Sequence, residues 1–167
     1  MADDIAVVDD PLALERQVCF ALAVANRTVL GVYRPLLEPL GLTHPQYLVM
    51  LALWERAPMS VRDIAQALQL DSPTLSPLLK RLEAAGLITR TRSEIDERQL
   101  AIELTAQGRE LRQMADKIPP AVVRTLGVDL ADLEELRRVL GTVNRAAAAA
   151  IASGTITLEP EAGEQHG

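Results

Sequence analysis

The sequence predicts a mainly α-helical protein that carries one small β-hairpin. Hydrophobic residues make up 49% of the 167 residues, but aromatics are confined to Phe20, Tyr33, Tyr47 and Trp54. Aliphatic side chains must therefore do the packing, and an Ala- and Leu-rich composition favours helix. Apolar residues recur at three- and four-residue spacing along most of the chain, and only between residues 87 and 105 does the pattern switch to alternation.

The elements follow in order. Asp10 and Pro11 form an N-cap with proline at the first helical position. The helix they open carries Leu14, Val18, Ala21, Leu22, Ala25, Val29, Val32 and Leu36 at helical spacing, and Pro35 and Pro39 bend or end it before Gly41. "THPQ" at 43–46 resembles a capping box and opens a very apolar second helix through Trp54. "SVRD" at 60–63 opens a short third helix with Ile64, Ala65 and Leu68 on one side. In "DSPTLSPLLKRLEAAGL" Asp71 or Ser72 caps, Pro73 takes the first helical position, and Gly86 supplies the left-handed stop. Pro77 falls close enough to the helix start to be tolerated.

"LITRTRS" and "RQLAIELT" then alternate around the charged turn "EIDE", forming the hairpin. "TAQGRELRQMADKI" is expected to be helical up to Pro119–Pro120, and a last amphipathic helix capped by Asp129 runs to about residue 153. Residues 1–10 are expected to be flexible and the tail 154–167, which lacks a packing pattern, disordered. Residues 11–153 then read as a single chain fold. Its middle, about 45–105, is a winged helix-turn-helix, flanked by terminal helices over about 11–40 and 106–152.

The net charge of −6 is unusual for a nucleic-acid binder, but its distribution is not. Residues 62–98 hold six basic and six acidic side chains, so the whole acidic excess lies outside the segment that would face DNA. In that segment Ser72, Thr74 and Ser76 open the second helix of the helix-turn-helix, where base edges are read, followed by Lys80 and Arg81 at phosphate-seeking spacing. Arg90, Arg92 and Arg98 are expected at the hairpin tip, suited to phosphates or a narrow minor groove. The partner these features fit is double-stranded DNA. The terminal helices are more apolar than a small winged-helix core requires, which points to a homodimer reading a pseudo-palindromic operator.

Other classes are disfavoured. A single cysteine excludes a disulfide framework and the usual multi-cysteine zinc sites, and neither a metal nor a cofactor is implied. The acidic N-terminus lacks the basic region of a signal peptide, and runs such as "YLVMLALW" are too short to cross a bilayer. A soluble cytoplasmic protein with no membrane partner and no enzymatic activity is expected.

"DSPTLSPLLKRLEAAGLITRTRSEIDERQLAIELTAQG" resembles the recognition helix and wing of the MarR family of dimeric bacterial repressors, with "DER" followed by "LT" similar to its wing motif. "CFALAVANRTVLGVYRPLLEPLGLTHPQYLVMLALWE" narrows the resemblance to the organic-hydroperoxide-sensing OhrR subgroup, over about residues 12–150. The resemblance implies that helix 72–85 reads the major groove, that Arg98 enters the minor groove, and that the first and last helices form the dimer interface.

Cys19 is the remaining question. A lone cysteine in an apolar helix is either a small buried hydrophobe or a thiol made reactive by groups that stabilise its thiolate. Tyr33 lies fourteen residues on, within about 40° of the same helix face but about 21 Å away along the axis. One helix cannot bring the two together, but two such helices packed antiparallel about a two-fold axis can. The resemblance implies that Cys19 is the sensing thiol and that a tyrosine of the partner subunit matching Tyr33 hydrogen-bonds it. An organic hydroperoxide would oxidise it to a sulfenic acid, and a low-molecular-weight thiol would then form a mixed disulfide, as in one-cysteine members. The sequence departs from the subgroup at Ala23 and His44, where relatives carry tyrosines. At His44 an imidazole either supports the thiolate or merely opens the second helix. Tyr47 and Trp54 are core and interface packing that can also line an apolar peroxide pocket, to which Phe20, adjacent to Cys19, adds by excluding water. Two other readings compete: a MarR-type repressor induced by a small apolar or phenolic ligand, with Cys19 inert, and a one-cysteine thiol peroxidase.

Overall fold

The computed structural model describes residues 12–92, 100–154 and 156. The expected flexible N-terminus 1–10, the Asp10–Pro11 cap, the "EIDE" turn, Arg98 and nearly all of the tail lie outside the described residues. The chain divides into two units, Met1–Leu126 and Gly127–Gly167.

The first unit holds six helices and a three-stranded antiparallel sheet among the described residues: α1 Val18–Leu37, α2 His44–Arg56, β1 Met59–Ser60, α3 Val61–Leu68, α4 Ser72–Ala84, β2 Ile88–Arg92, β3 Leu100–Leu104, α5 Ala106–Ala115 and α6 Ile118–Leu126. The helix-turn-helix with its hairpin wing is present as the sequence predicts.

Local chemistry sets the boundaries. A 3-10 turn at Leu14–Arg16 precedes α1, which therefore starts at Val18 rather than near Pro11. Pro35 falls inside α1, and the chain leaves it through a 3-10 turn at Glu38–Leu40 that Gly41 ends in the left-handed conformation. Thr43 and Gln46 form a reciprocal capping box at α2: the Thr43 amide donates to the Gln46 side chain at 2.8 Å. Ser60 caps α3 by accepting from the Asp63 amide, and Asp71 caps α4 by accepting from the Thr74 amide at 2.7 Å. With Asp71 as the cap, Ser72 takes the first helical position and Pro73 the second.

Two elements differ from expectation. Met59–Ser60 adds a short third strand, with Met59 opposite Ile102, so β3 is the central strand. Pro119–Pro120 does not end a helix. The prolines sit in the first turn of α6, where their missing N–H groups would have no intrahelical partner anyway.

The core runs from the C-terminal end of α1 through α2 and α3 to the inner face of α4 and the sheet. Leu37, Val49, Met50, Leu53, Ile64, Leu75, Leu79, Leu82, Ile88 and Ile102 are at most 1% exposed. α5 is fixed against this core at two points. The Trp54 indole N–H donates to the Gly108 carbonyl at 2.8 Å, and Arg112 donates to the Trp54 carbonyl at 3.1 Å. Gly108 packs so tightly that a Cβ there would lie 2.1 Å from the Leu87 carbonyl oxygen.

The second unit is essentially one helix, α7 Leu130–Ser153, begun at Asp129 and ended by Gly154 at φ 66°. None of its residues is buried. Among the described residues, no helix of either unit is long and apolar enough to cross a membrane.

Candidate nucleic-acid interface and thiol site

α4 turns Leu75, Leu79 and Leu82 into the core, all 0% exposed, and this fixes which residues face outward. At 100° per residue, Pro73, Pro77, Lys80 and Ala84 lie opposite those leucines, with Thr74 and Arg81 on one flank and Ser72 and Ser76 on the other. Ser72, Thr74, Lys80 and Arg81 are exposed, and Ser76 is half-buried. The helix thus presents short hydroxyl side chains and two proline rings near its start and cations further along. Hydrogen bonds from Thr74, through its side chain and its amide, hold the Asp71 carboxyl below its ordinary value. The capping carboxylate therefore stays charged and takes a helix N-terminal donor that a phosphate could otherwise use.

The wing differs from the sequence expectation in one respect. Arg90 is not at the hairpin tip but in the middle of β2, paired with Ile102 of β3. Strand alternation puts it on the same face as buried Ile88, while Thr89 and Thr91 face solvent. Its guanidinium turns back toward α4 and lies 3.1 Å from the Glu83 carboxylate. Arg92 ends β2, the position closest to the tip among the described residues of that strand.

Cys19 is exposed near the N-terminal end of α1, with Phe20 half-buried beside it. Leu37 is the only buried residue of this helix, and Val18 is 67% exposed. At the other end of α1, Tyr33 meets His44 edge to face at a centroid distance of 5.0 Å, and Tyr47 lies 6.2 Å from Tyr33. Tyr33 and His44, far apart in sequence from Cys19, are thus brought together within one chain. Burial pushes the His44 imidazole below its ordinary value and so favours the neutral form. Burial, followed by the neighbouring Tyr33 and Asp116, pushes the Tyr47 phenol up. His44 also borders a cleft of about 580 Å³ with Leu30, Arg34, Leu37 and Leu42. Tyr47 and Trp54, 6.3 Å apart, border another of about 240 Å³ with Arg112 and Asp116, and Phe20 is not among its lining residues.

A family model described as "Transcriptional regulator SarA/Rot" matches residues 31–114. The organic hydroperoxide resistance transcriptional regulator of Bacillus subtilis is 43% identical over 134 residues, covering 80% of this chain and 91% of that protein. A transcriptional regulator of the MarR family from Rhodococcus sp. RHA1 superposes with a TM-score of 0.69 at 28% identity, over 79% of this chain and 95% of that one. The chain belongs to the MarR family of transcriptional regulators. Reduced AbfR bound to DNA, from Staphylococcus epidermidis, superposes with a TM-score of 0.70 at 34% identity, over 83% of this chain and 94% of that one.

Seen as a MarR family regulator, the chain holds residues that sequence reasoning passed over. Pro73 and Pro77, which the sequence marks only as helix punctuation, face outward at the centre of the α4 surface. Glu83 had no assigned role, yet it holds Arg90. Gly108 belongs to the helical pattern of α5, yet a glycine in a first turn, where it costs helix stability, is itself a sign of close packing.

Proposed function

We propose that this MarR family regulator is a homodimeric, redox-sensing repressor that holds its operator while Cys19 is reduced and releases it when an organic hydroperoxide oxidises the thiol. In each half of the dimer, Cys19 of one chain meets Tyr33 and His44 of the other. The thiolate attacks one peroxide oxygen, the O–O bond breaks, and an alcohol leaves as the sulfenic acid forms. A small thiol then displaces the sulfenic oxygen as water, giving a mixed disulfide. Changed packing of the terminal helices alters the spacing of the two α4 helices, and simultaneous insertion into successive major grooves fails.

One observation carries this reading. Cys19 is exposed at one end of a helix that buries only Leu37 in its own chain, while Tyr33 and His44 converge at the other end. An antiparallel second copy of α1 covers the apolar face and brings the thiol to the two rings in a single step. His44, favoured in its neutral form, would serve as a hydrogen-bond donor rather than as a cation. Further support comes from the names of two relatives, the organic hydroperoxide resistance regulator and the DNA-bound, reduced AbfR. In the groove, Ser72, Thr74 and Ser76 read base edges and Lys80 and Arg81 meet phosphates. Arg92 and Arg98 reach the flanking groove from the wing. Phe20, Tyr47 and Trp54 provide apolar surroundings for the peroxide.

The test is DNA binding by the wild type and Cys19→Ser, each with and without an organic hydroperoxide. The reading requires release of the wild type alone. A second reading rests on the cleft of about 580 Å³ beside His44, which could admit a small apolar inducer. In that case Cys19→Ser would still respond to the inducer, and the peroxide would release neither protein.

A further inference from the structure

The last turn of α4 and the wing strand β2 are joined by an ion pair whose placement is unusual for a DNA-binding arginine. Glu83 lies at the C-terminal end of α4, where the helix dipole makes a carboxylate unfavourable unless a cation answers it. Arg90 supplies that cation at 3.1 Å, from the inner face of β2. The Arg90 side chain is only 22% exposed, and its Nε and Nη2 atoms are buried without a well-directed hydrogen bond among the described residues. Its charge is therefore directed at Glu83 and at the negative end of α4, not outward. The corner between the two elements is also tied by backbone groups, the Gly86 amide donating to the Glu83 carbonyl at 2.9 Å and the Leu87 amide to the Leu82 carbonyl at 3.0 Å, and by the Thr105 hydroxyl, which donates to the Gly86 carbonyl at 2.6 Å. Those bonds set the turn, but they leave the swing of β2 against α4 to the side chains.

We propose that Arg90 is a positioning residue, whose pairing with Glu83 fixes the angle between the recognition helix and the wing so that both meet one duplex together. A recognition helix and a wing that enter different grooves lose joint contact when that angle changes by a small amount. The inference rests on α4 being the groove-reading helix, and a Lys80→Ala control tests that reading separately.

The experiment measures binding to a duplex selected by the wild-type protein from a random pool, across a salt series, with the melting temperature of each variant recorded. Arg90→Ala is expected to weaken binding about tenfold, within the usual range for contacting pairs, and to leave the slope of log affinity against log salt unchanged. A phosphate contact would instead lower that slope by about one. Glu83→Ala separates the accounts by sign. Positioning requires weaker binding, whereas an arginine touching phosphate would bind more tightly once its competing carboxylate is gone. The charge-swapped pair Glu83→Arg with Arg90→Glu should recover most of the affinity lost in Arg90→Ala. Tighter binding by Glu83→Ala, a reduced slope in Arg90→Ala, or a lower melting temperature with affinity unchanged would each overturn the assignment. Lys80→Ala should reduce the slope; if it alters neither slope nor affinity, the failure lies with α4 as the reading helix and not with the Arg90 pair.

Discussion

α4 and α7 are built from similar material. Each begins at an aspartate and combines leucine, alanine and charged residues at helical spacing. α4 buries three leucines completely within its 13 residues, whereas α7 buries nothing in 24 and leaves Leu130, Leu136, Val139 and Val143 between 42% and 58% exposed. The first helix is satisfied within its own unit, whereas the second leaves its apolar side chains unburied. α1 stands between them, closed into the core at Leu37 and open at Val18 and Leu22. The division follows the functions proposed. The part that reads DNA must keep its shape in every state, so it is anchored in a core. The parts proposed to sense and switch would gain their packing from a second chain, and packing between chains can be rearranged without unfolding either one.

The comparison can be broken most forcefully in the core. Leu79→Ala removes a fully buried side chain and should cost about 2–5 kcal/mol in urea unfolding, independent of protein concentration. Gly108→Ala places a Cβ against the Leu87 carbonyl oxygen and should cost about 1–3 kcal/mol, with Trp54 fluorescence reporting the displaced α5. On the other side of the comparison, Leu136→Ala combined with Val143→Ala should change the stability of an isolated chain by less than about 1 kcal/mol. The same pair should weaken dimerisation about tenfold or more in sedimentation. A concentration-independent loss of stability would show instead that α7 packs within its own chain.

The smallest effect concerns His44. Its folded-state value is lowered from 6.5, so below that pH the unfolded chain binds more protons and the folded state loses stability. At higher pH the two states hold the same protons and the contribution vanishes. Between pH 7 and pH 5 the wild type should therefore lose more stability than His44→Phe. The same variant should slow peroxide oxidation of Cys19, and unchanged oxidation kinetics across pH 6 to 8 would remove His44 from the thiol site.

Much of this architecture was legible wherever one residue dictates one local geometry. The Thr43 capping box, the cap at Ser60, the cap of α4 to within one residue (Asp71 or Ser72) and the left-handed Gly86 were readable because each depends only on neighbours in sequence. Pro119–Pro120 misled because proline both opens and closes helices, and the burial of Ile118 and Val122 that favours opening comes from distant chain. β1 escaped notice because two residues carry no period, and they are a strand only because β3 lies beside them. Arg90 could have been placed from sequence: counting by twos from Ile88 puts it on the inner face, and its charge pattern drew attention to the tip instead. The meeting of Tyr33 with His44 was not legible as an intrachain contact, since it depends on how the 3-10 turn at Glu38–Leu40 folds α2 back beside α1.

The central claim is that the thiol site is shared between two chains, and mixed dimers test it directly. Cys19→Ser retains Tyr33 but has no thiol, while Tyr33→Phe retains the thiol but lacks the phenol. A heterodimer of the two contains one intact shared site, formed by Cys19 of the second chain and Tyr33 of the first. Trapping of the sulfenic acid after a brief exposure to organic hydroperoxide should then return to the wild-type rate on the Tyr33→Phe chain, although the Tyr33→Phe homodimer reacts slowly. If that chain reacts no faster in the heterodimer than in its own homodimer, Cys19 does not draw on Tyr33 of a second copy, and the account of the sensor is wrong.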